Sequence, residues 1–215
     1  MGEDGVIILF DLDGTLIDST EAILESFHTS LDLHGFGGVS DEQIKALIGY
    51  PLDIMFAKIG VESEKVWSAV DAYREHYRPI STQKTVLLEG ASEAVKLASS
   101  FAELGVVTTK TALYSRELME HFLLMDYFKT LVGKEDVTNP KPHPEPILKA
   151  LEAFKTQDKQ IYMIGDTKLD LLSAKSAGVK GLGVLSGYGS RSSLEEHTDI
   201  IFDNALDAVR YLNMM

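Results

Sequence analysis

Residues 6–15 read Val-Ile-Ile-Leu-Phe-Asp-Leu-Asp-Gly-Thr, an apolar run that ends in two aspartates and a Gly-Thr pair. A short run without alternation is typical of a strand buried on both faces of a parallel sheet. Side chains two apart on a strand point the same way, so Asp11 and Asp13 should share one side at its carboxyl end, where parallel α/β folds place their sites. Solvated acids are common at strand ends, but two carboxylates about 5 Å apart repel by roughly 3 kcal/mol at an effective dielectric near 20. We therefore expect a cation nearby.

Similar apolar runs recur along the chain, and amphipathic patterns separate them. The runs lie at residues 104–107, 130–133, 161–165, 181–185 and 200–202. Helical spacing occupies residues 91–102, 115–124, 146–154, 169–177 and 205–212, and Gly178 stands where a glycine would end a helix. This alternation predicts an α/β protein with a doubly wound, Rossmann-like parallel sheet.

Residues from about 18 to 84 differ, because helical spacing replaces strand-like runs. Asp18 followed by Glu21 resembles a helix N-terminus, and further helices are expected at residues 41–48, 52–59 and 63–77. Trp67, Tyr73 and Tyr77 lie at near-helical spacing and are predicted to pack in this region's core. The domains we predict are therefore a core of residues 1–17 and 84–215 and an all-helical insert of residues 18–83.

Composition narrows the classes of partner. The chain has 215 residues and a formal charge of −13, from 20 Lys plus Arg against 33 Asp plus Glu, which argues against nucleic acid and membrane surfaces. It has no cysteine, which excludes disulfides and thiolate zinc sites. No apolar run is long enough for a membrane span, and the first residues are acidic where a signal peptide needs positive charge. We expect a cytoplasmic protein, monomeric or homodimeric.

A second acidic pair follows the run at residues 161–165. Asp166 comes directly after that run and Asp170 follows one helical turn later. Each alone would be an ordinary acid at a helix start. Together with Asp11 and Asp13 at one sheet edge, they predict an oxygen-ligand site for a hard cation, with Mg²⁺ the natural occupant.

Groups suited to an anion occur at two other positions. Thr108 and Thr109 end the second strand and offer hydroxyls and backbone amides to phosphate oxygens. Lys141 lies among four prolines in residues 140–146, which reduce the conformations open to it.

In their order along the chain, residues 11–15, Thr108, Lys141 and Asp166 with Asp170 resemble the four motifs of the haloacid dehalogenase superfamily of phosphotransferases. The similarity covers essentially the whole chain, and the insert resembles the helical cap of the phosphoglycolate phosphatase-like branch. Each motif is weak alone, but four in order at strand ends are highly specific.

The resemblance implies a role for each position. Asp11 matches the nucleophile that forms an aspartyl-phosphate, and Asp13 the general acid and base. Magnesium would bind Asp11, Asp166 and the backbone carbonyl of Asp13, with Asp170 acting indirectly through water or Lys141.

Thr108 and Lys141 match phosphate-binding groups. Thr109 replaces the Asn of many members and keeps its backbone amide for the phosphate. Tyr50, in the insert loop Gly49-Tyr50-Pro51-Leu52, is a candidate substrate contact. That loop lacks the basic residue of the related β-phosphoglucomutases, which favours hydrolysis and a short leaving group.

The expected activity is magnesium-dependent hydrolysis of a small phosphorylated metabolite. 2-Phosphoglycolate leads by resemblance, with inorganic pyrophosphate or a sugar phosphate as the alternative. A rival of another class is a non-enzymatic phosphoacceptor module that resembles a response-regulator receiver. A receiver needs neither the helical insert nor Asp13.

Overall fold

The structure, a computed structural model, describes residues 5–215 and consists of an α/β sheet domain with a group of helices inserted after its first strand. Its strands are β1 (Val6–Phe10), β2 (Ile17–Asp18), β3 (Val86–Leu87), β4 (Ala102–Val107), β5 (Phe128–Val132), β6 (Gln160–Gly165), β7 (Lys180–Val184) and β8 (Ile201–Phe202). Its helices are α1 (Thr20–Leu33), α2 (Asp41–Lys45), α3 (Leu52–Ile59), α4 (Val66–Ile80), α5 (Ala91–Ser99), α6 (Ala112–His121), α7 (Glu145–Leu151), α8 (Lys168–Ala177), α9 (Arg191–Glu195) and α10 (Ala205–Asn213). Two 3-10 turns cover Met125–Tyr127 and Lys134–Asp136.

Six strands form one parallel sheet in the order β5-β4-β1-β6-β7-β8. β1 is central, with Ile8 in register with Leu104 on one side and Tyr162 on the other. The chain winds outward from β1 through β4 and β5 and then returns to β6 on the other side. This order confirms the doubly wound α/β fold, and its reversal next to β1 opens a crevice at the carboxyl ends of the strands.

Apolar side chains cover both faces of the sheet. α5, α6 and α10 pack on one face, where Phe10 and Ile164 are fully buried. α7 and α8 pack on the other, where Leu9 and Met163 are fully buried. This two-sided burial explains why the strands read as continuous apolar runs.

The inserted helices α1–α4, called the helical insert below, have their own apolar cluster around Phe27 and Phe56. Tyr73 and Tyr77 belong to it, as predicted. Trp67 was predicted to pack there too, and this is wrong, since it is 59% exposed. Helical spacing identifies a shared face but not how deeply each member of that face is covered.

The chain passes between the sheet domain and the helical insert through the antiparallel pair β2 and β3, with Ile17 opposite Leu87. Two-residue strands are too short to leave an alternating pattern, so the sequence did not predict this ribbon. Among residues 5–215, no helix is both long and apolar enough to span a bilayer.

Several predicted boundaries are displaced. Helix α5 ends at Ser99 and not at residue 102, because Ala102 already belongs to β4. Phe101 continues the helical apolar spacing, so the pattern does not mark the break. Helix α6 ends at His121 and not at 124, because Leu123 adopts a left-handed backbone with φ of 58°. Leucine gives no sequence signal for such a turn.

Candidate active site

The carboxyl ends of β1, β4 and β6 bring Asp11, Thr108 and Asp166 to neighbouring positions. The Asp11 amide donates to the Ile164 carbonyl at 2.9 Å, and the Thr108 amide donates to the Val132 carbonyl at 3.0 Å. All three side chains are buried. The sheet order therefore creates the predicted convergence at one edge.

Lys141 supplies a cation beside Asp11, the first of the two aspartates for which a cation was expected. Its Nζ donates to Asp11 Oδ1 at 2.8 Å, to the Val107 carbonyl at 3.0 Å and to Asp170 Oδ1. The side chain is only 2% exposed. Burial alone would lower the pKa of Lys141, but the carboxylates of Asp11 and Asp170 outweigh burial and raise it. Lys141 is therefore a permanent positive charge between two aspartates.

Three carboxylates surround this one ammonium group. Oxygen atoms of Asp11, Asp166 and Asp170 all lie within 4.8 Å of one another. Burial, and then the Asp170 charge, raise the pKa of Asp11 to about 7. Burial, Asp11 and Asp170 raise the pKa of Asp166 as well. These shifts express an excess of buried negative charge that a divalent cation with oxygen ligands would relieve.

The hydrogen bonds distinguish the three carboxylates. Asp170 Oδ2 accepts from the Thr167 amide at 3.0 Å and from its hydroxyl at 2.7 Å, while Oδ1 accepts from Lys141. Asp166 accepts from the Tyr188 amide at 2.7 Å and from the Thr15 hydroxyl at 3.4 Å. What sets Asp170 apart is therefore that it binds both Lys141 and the first turn of α8. The Asp13 carbonyl accepts no backbone hydrogen bond from residues 5–215 and remains free for a cation. The donor set of Asp11, Asp166 and this carbonyl fits Mg²⁺.

Asp13 lies beside this cluster and is held by Lys110, a residue to which the sequence analysis gave no role. Lys110 Nζ lies 2.9 Å from Asp13 Oδ2, and the Ser19 hydroxyl donates to Asp13 Oδ1. Burial would lower the pKa of Lys110, but the Asp13 charge outweighs it and raises the pKa. The sequence signal for Lys110 was its position two residues after Thr108, in the loop after β4 that was already predicted to bind an anion.

The two threonines of this loop differ in geometry. Thr108 Oγ1 accepts a hydrogen bond from the Lys110 amide at 3.1 Å. Because the hydroxyl is the acceptor in this bond, its own hydrogen can be donated to another group. Thr109 Oγ1 donates to the Gly49 carbonyl at 2.9 Å and so joins the sheet domain to the helical insert. The Thr109 hydroxyl is therefore occupied, which leaves its backbone amide as the group that phosphate could reach.

The loop after β7 closes over Asp166. The Tyr188 amide donates to Asp166 Oδ2 at 2.7 Å, and a Cβ on Gly187 would lie only 2.1 Å from that oxygen. Glycine at 187 is therefore required for this close approach. The turn at residues 187–189 therefore packs against the carboxylate cluster.

A cavity of about 220 Å³ separates the helical insert from the sheet domain and begins at Asp13. Its walls are mostly apolar, with five aromatic side chains: Tyr50, Trp67, Tyr73, Tyr77 and Tyr114. We call it the aromatic cavity. Tyr50 therefore lies where a group attached to a phosphate near Asp13 would extend.

Comparison with known proteins adds independent information. A family model for haloacid dehalogenase-like hydrolases matches residues 8–184. A pyrophosphatase PpaX of Halalkalibacterium halodurans is 35% identical over 185 residues, covering 86% of this chain and 84% of the relative. A pyrophosphatase PpaX of Bacillus cereus is 31% identical over 210 residues, covering 97% and 96%.

A solved structure of a haloacid dehalogenase-like family hydrolase from Streptococcus pneumoniae superposes with a TM-score of 0.87 at 27% identity, covering 97% of this chain and 99% of the other. The match thus includes the helical insert as well as the sheet. The family model, the relatives and the shared fold agree with the order of motifs, and the chain belongs to the haloacid dehalogenase-like hydrolase family.

Proposed function

We propose that the protein is a magnesium-dependent phosphatase that hydrolyses a small phosphomonoester through a phosphorylated Asp11. The observation that carries this proposal is the arrangement of two aspartates with different partners. Asp11 lies in a buried carboxylate cluster bridged by Lys141, whereas Asp13 lies outside that cluster at the mouth of the aromatic cavity. Two carboxylates in different environments suit two different tasks.

The reaction has two balanced steps. In the first, a carboxylate oxygen of Asp11 forms a bond to phosphorus as the bond to the leaving oxygen breaks. Asp13, which enters this step protonated and not as the charged partner of Lys110, donates its proton to that oxygen. In the second, Asp13 takes a proton from water, whose oxygen bonds to phosphorus as the Asp11–phosphorus bond breaks. Inorganic phosphate leaves and both aspartates return to their initial states.

Other residues hold the phosphate and neutralise charge. Lys141 offsets the charge of Asp11 during the approach of an anion, and the Thr108 hydroxyl and Thr109 amide bind phosphate oxygens. Magnesium held by Asp11, Asp166 and the Asp13 carbonyl would offset the negative charge of the phosphate. The helical insert acts as a cap that excludes bulk water from the reacting groups.

Two candidate substrates are supported by different observations. 2-Phosphoglycolate rests on the resemblance of the motifs and the insert to the phosphoglycolate phosphatase-like branch. Pyrophosphate draws support from the PpaX relatives. The predicted cytoplasmic location and the exclusion of nucleic acid partners stay predictions.

Phosphate release tests the activity. The purified protein with Mg²⁺ should release many phosphate molecules per protein molecule from 2-phosphoglycolate, pyrophosphate or ethyl phosphate, and excess chelator should stop the release. Asp11→Asn, which keeps the side-chain shape, should also stop it. A receiver-like module would release at most one phosphate per protein molecule, so a single turnover would refute the proposed activity.

A further inference from the structure

The size and polarity of the aromatic cavity restrict the leaving group of the substrate, which the catalytic motifs do not specify. It starts at Asp13, the residue proposed to protonate the leaving oxygen, and runs between the helical insert and the sheet domain. Whatever is bonded to that oxygen must therefore lie in this cavity. The inference below rests on the proposed function and concerns the leaving group.

The size of the cavity exceeds what a two-carbon acid requires. A cavity of about 150 Å³ in an engineered protein holds one benzene molecule, and the aromatic cavity measures about 220 Å³. Its volume therefore suits one ring with a short connecting chain.

The walls are mostly apolar, and one face of a helix supplies part of them. Trp67, Val70, Tyr73 and Tyr77 recur at three- and four-residue spacing along α4 and line the cavity. Tyr114 of α6 extends this wall, with its ring next to that of Tyr77 at a centroid distance of 5.8 Å. Aromatic walls stack favourably on a flat ring and gain little from a compact, strongly hydrated anion.

The charges that line the cavity cancel. Apart from tyrosine, the ionisable side chains are three cations and three carboxylates: Arg74, Lys110, Lys134, Asp13, Asp53 and Glu135. Lys110 is already paired with Asp13. A second phosphate would enter without a surplus of positive charge to replace its hydration, which is costly in a mostly apolar space.

From these features we infer that the leaving group of the substrate is a neutral, mainly apolar alcohol that carries a ring, rather than glycolate or a second phosphate. The ring lies against the aromatic wall residues that keep exposed surface, Tyr50, Trp67 and Tyr114. Selectivity against smaller esters comes from filling the cavity, and selectivity against pyrophosphate comes from the absence of excess positive charge.

The test compares two esters whose leaving oxygens are chemically alike and sets them against 2-phosphoglycolate and the anhydride pyrophosphate. 2-Phenylethyl phosphate and ethyl phosphate both release a primary alcohol, so they differ mainly in the ring. We expect kcat/KM for 2-phenylethyl phosphate to exceed that for ethyl phosphate, 2-phosphoglycolate and pyrophosphate by at least about tenfold. A higher kcat/KM for 2-phosphoglycolate or pyrophosphate would overturn the inference while leaving the phosphatase activity intact. Release of phosphate from none of the four would instead refute the proposed function.

A variant locates the selectivity in the aromatic cavity. Trp67→Ala removes a wall residue that is 59% exposed and lies outside the buried cluster, so the fold should persist. It should reduce the ratio of kcat/KM between the phenylethyl and ethyl esters at least about threefold. Leu113→Ala, at a half-exposed position of α6 that does not line the cavity, is the matched control and should leave this ratio unchanged. An unchanged ratio in Trp67→Ala, or an equal fall in Leu113→Ala, would overturn the inference.

Discussion

Lys110 Nζ lies 2.9 Å from Oδ2 and 3.1 Å from Oδ1 of Asp13, so one largely covered lysine contacts both carboxylate oxygens of the second aspartate. The same Nζ lies 4.9 Å from the centre of the Tyr77 ring. Lys110 thus joins the loop after β4 to the β1 loop and to α4. In the proposed mechanism Asp13 donates a proton to the leaving oxygen, and its contact with Lys110 fixes the orientation of its carboxylate.

Lys110→Met tests that positioning role. The variant keeps an apolar side chain but leaves Asp13 held only by Ser19, and we expect kcat to fall about 10–100-fold because the carboxylate loses its orientation. Steady-state kinetics with an alkyl phosphate measures the effect. Lys149→Met, which removes a surface lysine that bonds Glu152 at 3.0 Å, is the control and should be silent. A parental kcat in Lys110→Met would remove Lys110 from the account.

Lys141→Met should affect stability as well as turnover. It leaves Asp11 and Asp170 buried without their shared cation, and loss of one partner of a buried ion pair costs about 3–5 kcal/mol. We expect that loss in the free energy of unfolding at pH 8 in chelator, measured by urea denaturation. At pH 5 the loss should be smaller, because Asp11, with its pKa of about 7, is then mostly protonated. An equal loss at both pH values would contradict the assigned pairing.

The metal-free protein should lose stability as pH rises from about 4 to about 7. Burial and the Asp170 charge raise the pKa of Asp11 from its ordinary value of 3.8 to about 7, so the folded state binds more protons than the unfolded state in that window. Ionisation of Asp11 there favours unfolding. Mg²⁺ competes with these protons, so its stabilising effect should grow over the same range.

Thermal melts in chelator and in excess Mg²⁺ between pH 5 and pH 8 measure both effects. Asp11→Asn removes one of the two carboxyls with a raised pKa, the other being Asp166, and should make the dependence in chelator less steep. A dependence that is as steep in Asp11→Asn as in the parent protein would assign it to other groups.

The two threonines should respond differently to loss of their hydroxyls. Thr108→Val removes a hydroxyl proposed to bind phosphate, and a hydrogen bond to a charged group contributes about 1.5–3 kcal/mol, so kcat/KM should fall about 10–100-fold. Thr109→Val removes only the bond to the Gly49 carbonyl and should change kcat/KM for pyrophosphate less than about threefold. The opposite order would place the phosphate against the Thr109 hydroxyl.

The sequence predicted the sheet and the site edge because both depend on local signals. Continuous apolar runs predicted the buried strands. Asp11 and Asp166 each come directly after such a run, and Lys141 lies among the prolines of residues 140–146. The structure adds the distances that make them one cluster, with carboxylate oxygens within 4.8 Å.

Other contacts could not be predicted, because they join segments far apart in the chain. The bond from Tyr188 to Asp166 and the contact of Lys110 with Asp13 depend on how loops fold over the sheet edge. Arg74 of α4 is a further case, since it lines the aromatic cavity although the insert loop at residues 49–52 has no basic residue. Helical spacing predicted which residues of α4 share one face, but not that this face lines a cavity.

The most direct test of the central claim is detection of a phosphorylated Asp11. Asp13→Asn should form the acyl-phosphate and hydrolyse it slowly, so acid quenching during turnover with Mg²⁺ and an activated aryl phosphate should trap it. Mass spectrometry of the digested protein should then locate one phosphoryl group on the peptide that contains Asp11, and none in the Asp11→Asn, Asp13→Asn double variant. A phosphoryl group on another residue, or turnover at the parental rate in Asp11→Asn, would contradict the account.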